Sequence, residues 1–214
     1  MEQSEVLCRC AESVVTRVGE FVLVKQRLRK GYRLPELDAL INGQRLKQEV
    51  RNMKKAELMG VRVPKVYSVN EQEMAISMEF LKGFIDLKHA LRGDRSAAVN
   101  DLAELAGHYI GLLHNGGIVH GDLTSSNIMV DLASRSCAII DFGLSTFDPS
   151  VEAKAIDLYV FEKSLLCEAG AEEFLVKVIE AFKTGYAQSS KAAEAVLRRL
   201  EKVKARGRKK VAFG

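Results

Sequence analysis

The segment VHGDLTSSNIMV, residues 119–130, decides how this chain is interpreted. It sets Asp122 and Asn127 five positions apart in a polar loop that leads into the strand-like sequence IMV. A second segment, IIDFGLS, places Asp141 at the end of another apolar strand, fourteen positions after Asn127. Strand ends that present a carboxylate and an amide oxygen form the hard, oxygen-rich site that Mg²⁺ prefers. We therefore expect Asn127 and Asp141 to bind this metal.

The two loops together indicate phosphoryl transfer. Either loop alone is as compatible with an ordinary turn as with a site, whereas the ordered pair at this spacing matches the protein-kinase signature. Asp122 lies in the same loop without needing to bind the metal. Since phosphoryl transfer depends on positioning and charge neutralisation, its natural role is that of a catalytic base, which orients an attacking hydroxyl or water and accepts its proton.

The kinase signature also requires a lysine on the third strand and a glutamate on the following helix. Lys25 closes the run FVLVK, and Glu49 falls on the apolar stripe formed by Leu46, Met53 and Ala56. A glutamate on such a stripe is costly unless it is paired. We expect it to pair with Lys25, which then holds the α- and β-phosphates of ATP. The alternative places the Glu49 carboxylate in water at the edge of the stripe.

The composition indicates a globular protein with either one two-lobed domain or two small domains. Of its 214 residues, 47% are hydrophobic and 28% are charged. No apolar run approaches the length of a membrane span, and the start MEQSEV lacks the features of a signal peptide, so a cytoplasmic protein with no membrane partner is expected. The four cysteines show neither a CxxC pair nor a repeated spacing, which argues against a zinc site or a disulfide framework.

The hydrophobic pattern predicts an α+β fold with two lobes. Residues 1–82 contain short valine-rich strands and a helix over residues 35–60, which is typical of a small antiparallel sheet with one helix. Residues 83–205 are rich in helical patterns, including a strong one over residues 96–117 and three more helices from residue 151 onward. The predicted architecture is a small protein-kinase-like fold with a helix-rich C-terminal lobe.

The chain resembles one atypical kinase family, the kinase subunit of the KEOPS (EKC) complex, a RIO-like Ser/Thr protein kinase called PRPK in animals. Four features carry the resemblance: HGDLTSSN, DFGLS, the segment KGYRLPELDALI followed by Arg45 and Glu49, and the basic end RGRKKVAFG. It covers essentially the whole chain. It implies Mg²⁺-dependent ATP hydrolysis and autophosphorylation in support of the threonylcarbamoyladenosine modification of tRNA.

The resemblance also implies partners and an adenine site. The partners are a Kae-family threonylcarbamoyltransferase, a TPRKB-type small KEOPS subunit and tRNA. Met78 would lie at the back of the adenine pocket, Glu79 and Leu81 would offer main-chain hydrogen bonds, and Met129 would pack under the ring, although the same strands would serve equally well as core. Two alternatives stay open: a stand-alone kinase for proteins or small molecules, and a weakly catalytic adaptor that binds tRNA.

Three departures from ordinary protein kinases bear on activity. The glycine-rich phosphate loop is absent, and the related Gly-Ala-Glu core is replaced by Cys10, Ala11 and Glu12, so fewer main-chain N–H groups can approach the phosphates and ATP should be held loosely. No A-P-E motif follows Asp141, so a peptide-docking shelf is not expected. Gly121 stands where many regulated kinases have an arginine that pairs with a phosphorylated loop, which favours control by a partner.

Two basic stretches predict contact with RNA. Residues 198–210 contain eight basic side chains against one glutamate, and residues 25–33 contain five with no acid. Such patches release counterions from phosphates without reading sequence. We expect the last helix to break at Gly207 and residues 206–214 to form a basic tail. The residues of this tail that would contact tRNA are Arg206, Arg208, Lys209 and Lys210. The alternatives are a solvated helix end and a nuclear-localisation signal, which in a eukaryote would add the nucleus to the cytoplasm.

Overall fold

The N-terminal lobe is a five-stranded antiparallel sheet in the order β1-β2-β3-β5-β4. The computed structural model describes residues 4–9, 12–93, 96–166 and 172–212, with the backbone alone for residue 172 and residues 207–212. Valine and isoleucine, whose branched side chains suit a half-buried pleated surface, recur along the strands. The strand bounds are β1 (Ser4–Arg9), β2 (Ser13–Val18), β3 (Val22–Arg27), β4 (Val66–Asn70) and β5 (Ala75–Glu79).

The helix α1 (Pro35–Leu58) connects β3 to β4 and packs against the cleft side of the sheet. Proline at the first helical position and two acidic residues in the first turn favour its start. The stripe of Leu46, Met53 and Ala56 is buried as the sequence predicts, and Glu49 lies on the same face with only 1% of its surface exposed. The alternative that placed the Glu49 carboxylate in water is therefore wrong.

The C-terminal lobe is mostly helical, with short strands that carry the polar loops. The strand β8 pairs with β6 and β9, and β7 pairs with β10, all antiparallel. The strands are β6 (Ile85–Asp86), β7 (Ile118–Val119), β8 (Ile128–Asp131), β9 (Ser136–Ile139) and β10 (Thr146–Phe147). The helices are α2 (Leu87–Gly93), α3 (Ala97–Asn115), α4 (Val151–Leu166), α5 (Glu172–Ser189) and α6 (Ala193–Ala212).

The helices α3 and α5 approach each other unusually closely, and this contact fixes the base of the lobe. A Cβ atom added to Gly107 would lie 1.9 Å from the main-chain oxygen of Phe182, and one added to Gly185 would lie 1.9 Å from that of Glu104. Only glycine permits two backbones to come this near. Next to the contact, the rings of Phe161 and Phe182 stack with their centroids 4.0 Å apart.

The predicted fold class is confirmed: an antiparallel sheet with one helix precedes a helical lobe. One detail is wrong, because α6 continues through Gly207 to Ala212 instead of breaking at the glycine. An interior glycine costs a helix only about 1 kcal/mol, whereas α6 buries Val196, Leu200 and Val203. None of the described helices combines the length and hydrophobicity that crossing a lipid bilayer requires.

Candidate active site

The centre of the cleft between the lobes is an ion-pair network around Lys25. Its Nζ atom lies 2.7 Å from Oε1 of Glu49 on α1 and 2.6 Å from Oδ1 of Asp141, which follows β9. Burial would lower the pKa of Lys25, but the two carboxylates outweigh it and hold the pKa above its ordinary value. The lysine therefore stays charged. Its contact with Glu49 lies within the N-terminal lobe, and its contact with Asp141, 116 positions away in the chain, joins the two lobes.

The pairing of β8 with β9 brings Asn127 and Asp141 to the same edge. The N–H of Ile140 donates to the main-chain oxygen of Asn127 at 3.0 Å, which continues the ladder by one residue and places Asp141 beside the polar loop. Nδ2 of Asn127 donates to the main-chain oxygen of Asp122 at 2.8 Å and to its Oδ2 at 3.2 Å. The three side chains that the motifs single out thus lie together, and Asn127 orients the Asp122 carboxylate.

Asn127 and Asp141 have the chemistry of a Mg²⁺ site. Asp141 accepts hydrogen bonds from Lys25 and from the N–H of Gly143 through Oδ1. Among the described residues, no donor reaches Oδ2 of Asp141 or Oδ1 of Asn127, so both oxygens are available to a cation. Desolvation would raise the pKa of Asp141, but Lys25 and the Gly143 N–H hold it below its ordinary value, so the carboxylate is ionised. Two hard oxygen ligands, with waters and phosphate oxygens, fit Mg²⁺.

A buried aspartate on α4, Asp157, holds the start of the loop that carries Asp122. Its carboxylate is 1% exposed and accepts the main-chain N–H of His120 at 2.5 Å and that of Gly121 at 2.9 Å. The His120 ring in turn makes a 2.9 Å hydrogen bond to the main-chain oxygen of Ile140. The sequence pattern places Asp157 in a helix and indicates no further role for it. The available signal is an ionisable residue between buried apolar neighbours on α4, the pattern that identifies Glu49 on α1.

His114 completes this buried network and makes stability depend on pH. Its ring contacts Oδ2 of Asp157 at 3.2 Å and the Tyr186 hydroxyl at 3.0 Å. Burial lowers the pKa of His114, although Asp157 partly opposes the shift, and burial raises the pKa of Tyr186 to about 12. Both side chains are therefore neutral near pH 7.

We expect His114 to destabilise the fold as the pH falls. Below about pH 6.5 the histidine of the unfolded chain takes up a proton that the folded chain does not bind, so the free energy of unfolding drops by up to about 1.4 kcal/mol per pH unit. His114→Gln should flatten this slope between pH 7 and 5, as measured by urea unfolding. The surface variant His89→Gln is the control and should keep the slope. An unchanged slope in His114→Gln would refute the assignment.

An apolar pocket of about 210 Å³ lies beside Lys25 and contains all four residues predicted to contact adenine. Met78 and Met129 line it, and the main-chain N–H of Leu81 has no partner among the described residues, as a donor to adenine requires. The Glu79 side chain is turned away, because Arg62 binds it at 2.5 and 2.7 Å and lowers its pKa. The remaining apolar walls carry no sequence signal for adenine binding, and they include Leu7, Val15, Leu23, Met53, Pro64, Phe84 and Ile140.

A polar cavity of about 390 Å³ continues the cleft toward the loop that carries Asp122 and Asn127, and it shares Lys25 and Asp141 with the apolar pocket. Asp122 and Asn127 line it together with Glu12 of the turn between β1 and β2. Glu12 is held at 3.0 and 2.9 Å by Arg45 of α1. Cys10 and Ala11 lie outside the described residues. The cleft thus has an apolar end suited to a base and a polar end suited to phosphates.

The segment after Asp141 is short and firmly attached. Gly121 has φ +81°, and a Cβ atom there would lie 2.4 Å from the main-chain oxygen of Leu144, so only glycine fits. Two side chains of α1 bind the next residue: Gln48 donates to the Ser145 main-chain oxygen at 2.8 Å, and Asn52 donates to its hydroxyl at 2.9 Å. This segment reaches α4 after only one short turn and β10, which leaves no long loop for regulation.

The predicted RNA contacts are only partly visible. Arg206 pairs with Glu152 of α4 at 2.8 Å, and Arg199 contacts the same carboxylate. The side chains of Arg208, Lys209 and Lys210 lie outside the described part of the chain. In the other basic stretch, Lys25 and Arg27 are buried in the cleft and cannot belong to a surface patch.

A RIO domain family model matches residues 20–154. The EKC/KEOPS complex subunit bud32 of Dictyostelium discoideum is 36% identical over 90% of this chain and 77% of its own length. The EKC/KEOPS complex subunit BUD32 of Encephalitozoon cuniculi is 38% identical over 95% of this chain and 96% of its own length. A probable bifunctional tRNA threonylcarbamoyladenosine biosynthesis protein of Methanosarcina mazei is 38% identical over 97% of this chain, which spans 36% of that longer protein.

Solved structures agree on the fold. WaaP in complex with acyl carrier protein matches with a TM-score of 0.59 at 15% identity, over 94% of this chain and 89% of the WaaP chain. A choline/ethanolamine kinase family protein from Mesorhizobium loti matches with a TM-score of 0.61 at 13% identity, over 88% of this chain and 70% of its own. At such low identity the likeness extends to the kinase-like architecture alone.

Proposed function

Because the chain belongs to the RIO-domain family and, within it, to the Bud32 group of EKC/KEOPS complex subunits, we propose that it binds ATP with Mg²⁺ and transfers or hydrolyses the terminal phosphate within that complex. One observation carries the proposal. Lys25 joins Glu49 and Asp141 in the cleft that Asp122 and Asn127 also line. Five residues from four separate segments converge where an apolar pocket meets a polar one, which is the arrangement that nucleotide phosphoryl transfer needs.

In the proposed reaction the residues divide the work by position. The apolar pocket holds adenine, and Lys25 binds the α- and β-phosphates. Asn127 and Asp141 would hold Mg²⁺, which when bound neutralises charge on the phosphates. Asp122 orients the attacking oxygen and accepts its proton as the bond to phosphorus forms and ADP leaves. Water as the attacking group gives hydrolysis, and a serine or threonine hydroxyl of the chain itself gives autophosphorylation.

The short segment after Asp141 supports hydrolysis or autophosphorylation over a broad Ser/Thr protein kinase activity. Ser145 is tied to α1 and the Leu144 carbonyl abuts Gly121, so this segment is held against the rest of the chain and offers no extended loop along which a substrate peptide could lie. The relatives named as EKC/KEOPS subunits favour work inside a complex over a stand-alone kinase. We propose that the partners are a Kae-family threonylcarbamoyltransferase, a TPRKB-type small subunit and tRNA, in support of threonylcarbamoyladenosine synthesis.

A second candidate is a weakly catalytic tRNA-binding adaptor. Glu12 favours this candidate, because its carboxylate lies at the polar end of the cleft, where a negative charge repels phosphates. Arg45 is bound to Glu12, so its guanidinium is not available to bind phosphates instead. The adaptor would bind tRNA and the other subunits without hydrolysing ATP. The two candidates differ in whether phosphate release depends on the cleft.

We expect the full chain to release phosphate from ATP only with Mg²⁺ present, and the rate to rise on addition of the transferase and tRNA. Lys25→Met should weaken ATP binding about tenfold, since one charge-assisted contact to the phosphates is lost. Lys177→Met, which removes an exposed lysine paired with Glu173 on α5, is the control and should bind normally. Release that persists after chelation of Mg²⁺, or no release with any partner, would contradict the enzymatic proposal and leave the adaptor.

A further inference from the structure

Glu49 is held by two cations rather than one. Lys25 and Arg27 are two positions apart on β3, so both side chains point to the same face of the sheet. Nη2 of Arg27 contacts Oε2 of Glu49, while Lys25 holds Oε1 at 2.7 Å. Arg27 is 6% exposed and Glu49 is 1% exposed. Both carboxylate oxygens are therefore neutralised separately, deep in the cleft.

The second cation matters because Lys25 has to bind both carboxylates and the nucleotide. In the structure Lys25 divides its hydrogen bonds between Glu49 and Asp141. Under the proposed function it must also reach the nucleotide phosphates, which draws its charge away from both carboxylates. A buried carboxylate that loses its only cation is strongly disfavoured. With Arg27 in place, Glu49 keeps a partner whatever Lys25 binds.

The local structure prepares Arg27 for this role. Its main-chain N–H donates to the Met74 oxygen at 2.9 Å, which anchors the end of β3. A Cβ atom on Gly143 would approach Nη2 to 2.9 Å, so the glycine after Phe142 leaves the guanidinium its space. Nε of Arg27 is buried and has no hydrogen-bond partner in the described part of the chain. The guanidinium is held by Glu49 and by packing, and its planar fork is pre-organised, so holding it costs little side-chain freedom.

We infer that Arg27 is a positioning residue, which holds the Glu49 carboxylate in place so that Lys25 can turn from Asp141 to the phosphates of the nucleotide. The inference rests on the proposed function. Arg27 also lines the polar cavity, but its Nη2 atom is engaged with Glu49, so we assign it no contact with the nucleotide itself. Replacing Arg27 should therefore weaken the binding of the phosphates, through Lys25, and should not change the binding of adenine.

Comparing ATP with adenosine isolates this effect. Both ligands use the adenine pocket, and only ATP needs Lys25. Arg27→Met should lower the ratio of ATP to adenosine affinity about tenfold in the presence of Mg²⁺, measured by titration calorimetry on the full chain. Arg27→Lys, which restores a cation, should recover most of the ratio. Because Arg27 acts through Lys25, the double variant Lys25→Met, Arg27→Met should have the same ratio of ATP to adenosine affinity as Lys25→Met alone. The ratio is compared on folded protein, since the double variant leaves Glu49 without either cation and should be less stable.

Several outcomes would overturn the inference, and each has a distinct meaning. Arg135→Met, which breaks an exposed pair with Asp101 far from the cleft, is the matched control and should keep the wild-type ratio. A wild-type ratio in Arg27→Met would reduce Arg27 to a structural residue. A ratio of ATP to adenosine affinity much lower in the double variant than in Lys25→Met would mean that Arg27 contacts the phosphates directly. A wild-type chain that binds ATP no better than adenosine would overturn the proposed function and this inference with it.

Discussion

Replacement of Asp122 by asparagine is expected to slow phosphate release from ATP by at least about a hundredfold and to leave ATP binding nearly unchanged. The asparagine has almost the same shape and can keep an oxygen toward Nδ2 of Asn127, which holds the Asp122 side chain at 3.2 Å. It cannot accept the proton of the attacking oxygen. Because Asp122 is no expected ligand of the metal or of adenine, the loss should fall on the rate and not on affinity.

The measurement is steady-state phosphate release by the full chain together with the transferase and tRNA, with nucleotide affinity determined in parallel. Asp101→Asn is the matched control, since Asp101 is an exposed aspartate at the start of α3 that pairs with Arg135. It should behave as the wild type. Equal rates for Asp122→Asn and the wild type would show that the activity arises elsewhere and would favour the adaptor.

Replacement of Asp157 by alanine is expected to lower the free energy of unfolding by about 3–5 kcal/mol. The change removes the acceptor for two main-chain N–H groups and leaves the buried donor of His120 and the partly buried donor of Gly121 without a partner. It also removes the contact of His114 at 3.2 Å. The loop that carries Asp122 would lose its support, so the activity of any folded fraction should fall as well.

Denaturant unfolding of the full chain measures the first effect, and phosphate release at low temperature, where the variant is still folded, measures the second. Asp157→Asn retains one acceptor oxygen and should lose roughly half as much stability. Asp101→Ala should cost about 0.5 kcal/mol or less, as expected for an exposed ion pair. A loss of similar size in Asp157→Ala and Asp101→Ala would contradict the supporting role.

The sequence predicts most of the polar residues of the cleft because they belong to local sequence motifs. Asp122, Asn127 and Asp141 stand at fixed spacings around two strands, and the structure brings them together. The pair of Lys25 and Glu49 also follows from pattern, since a charge on a buried helical stripe needs a partner and the nearest strand supplies one. Their functional roles remain predictions.

Asp157 and Arg27 escape prediction for a different reason. Asp157 serves main-chain N–H groups that are 36 and 37 positions away, and a bond to the backbone leaves no signature in the partner's side chains. Arg27 belongs to a run of basic residues that reads as a surface patch, yet strand geometry sends two of that run inward. The helix α6 continues through Gly207 because an interior glycine costs a helix only about 1 kcal/mol, so a single glycine does not fix where a helix ends.

The close approach of Gly121 to the Leu144 carbonyl also limits how this protein can evolve. Any L-amino acid at position 121 would combine a φ of +81° with a Cβ atom 2.4 Å from that oxygen, so the first mutational step there lowers stability before it can bring a benefit. An arginine able to sense a phosphorylated loop is thus separated from this chain by at least two coordinated changes. Descendants of this protein would gain new regulation more readily by acquiring a binding partner than by substitution within the loop.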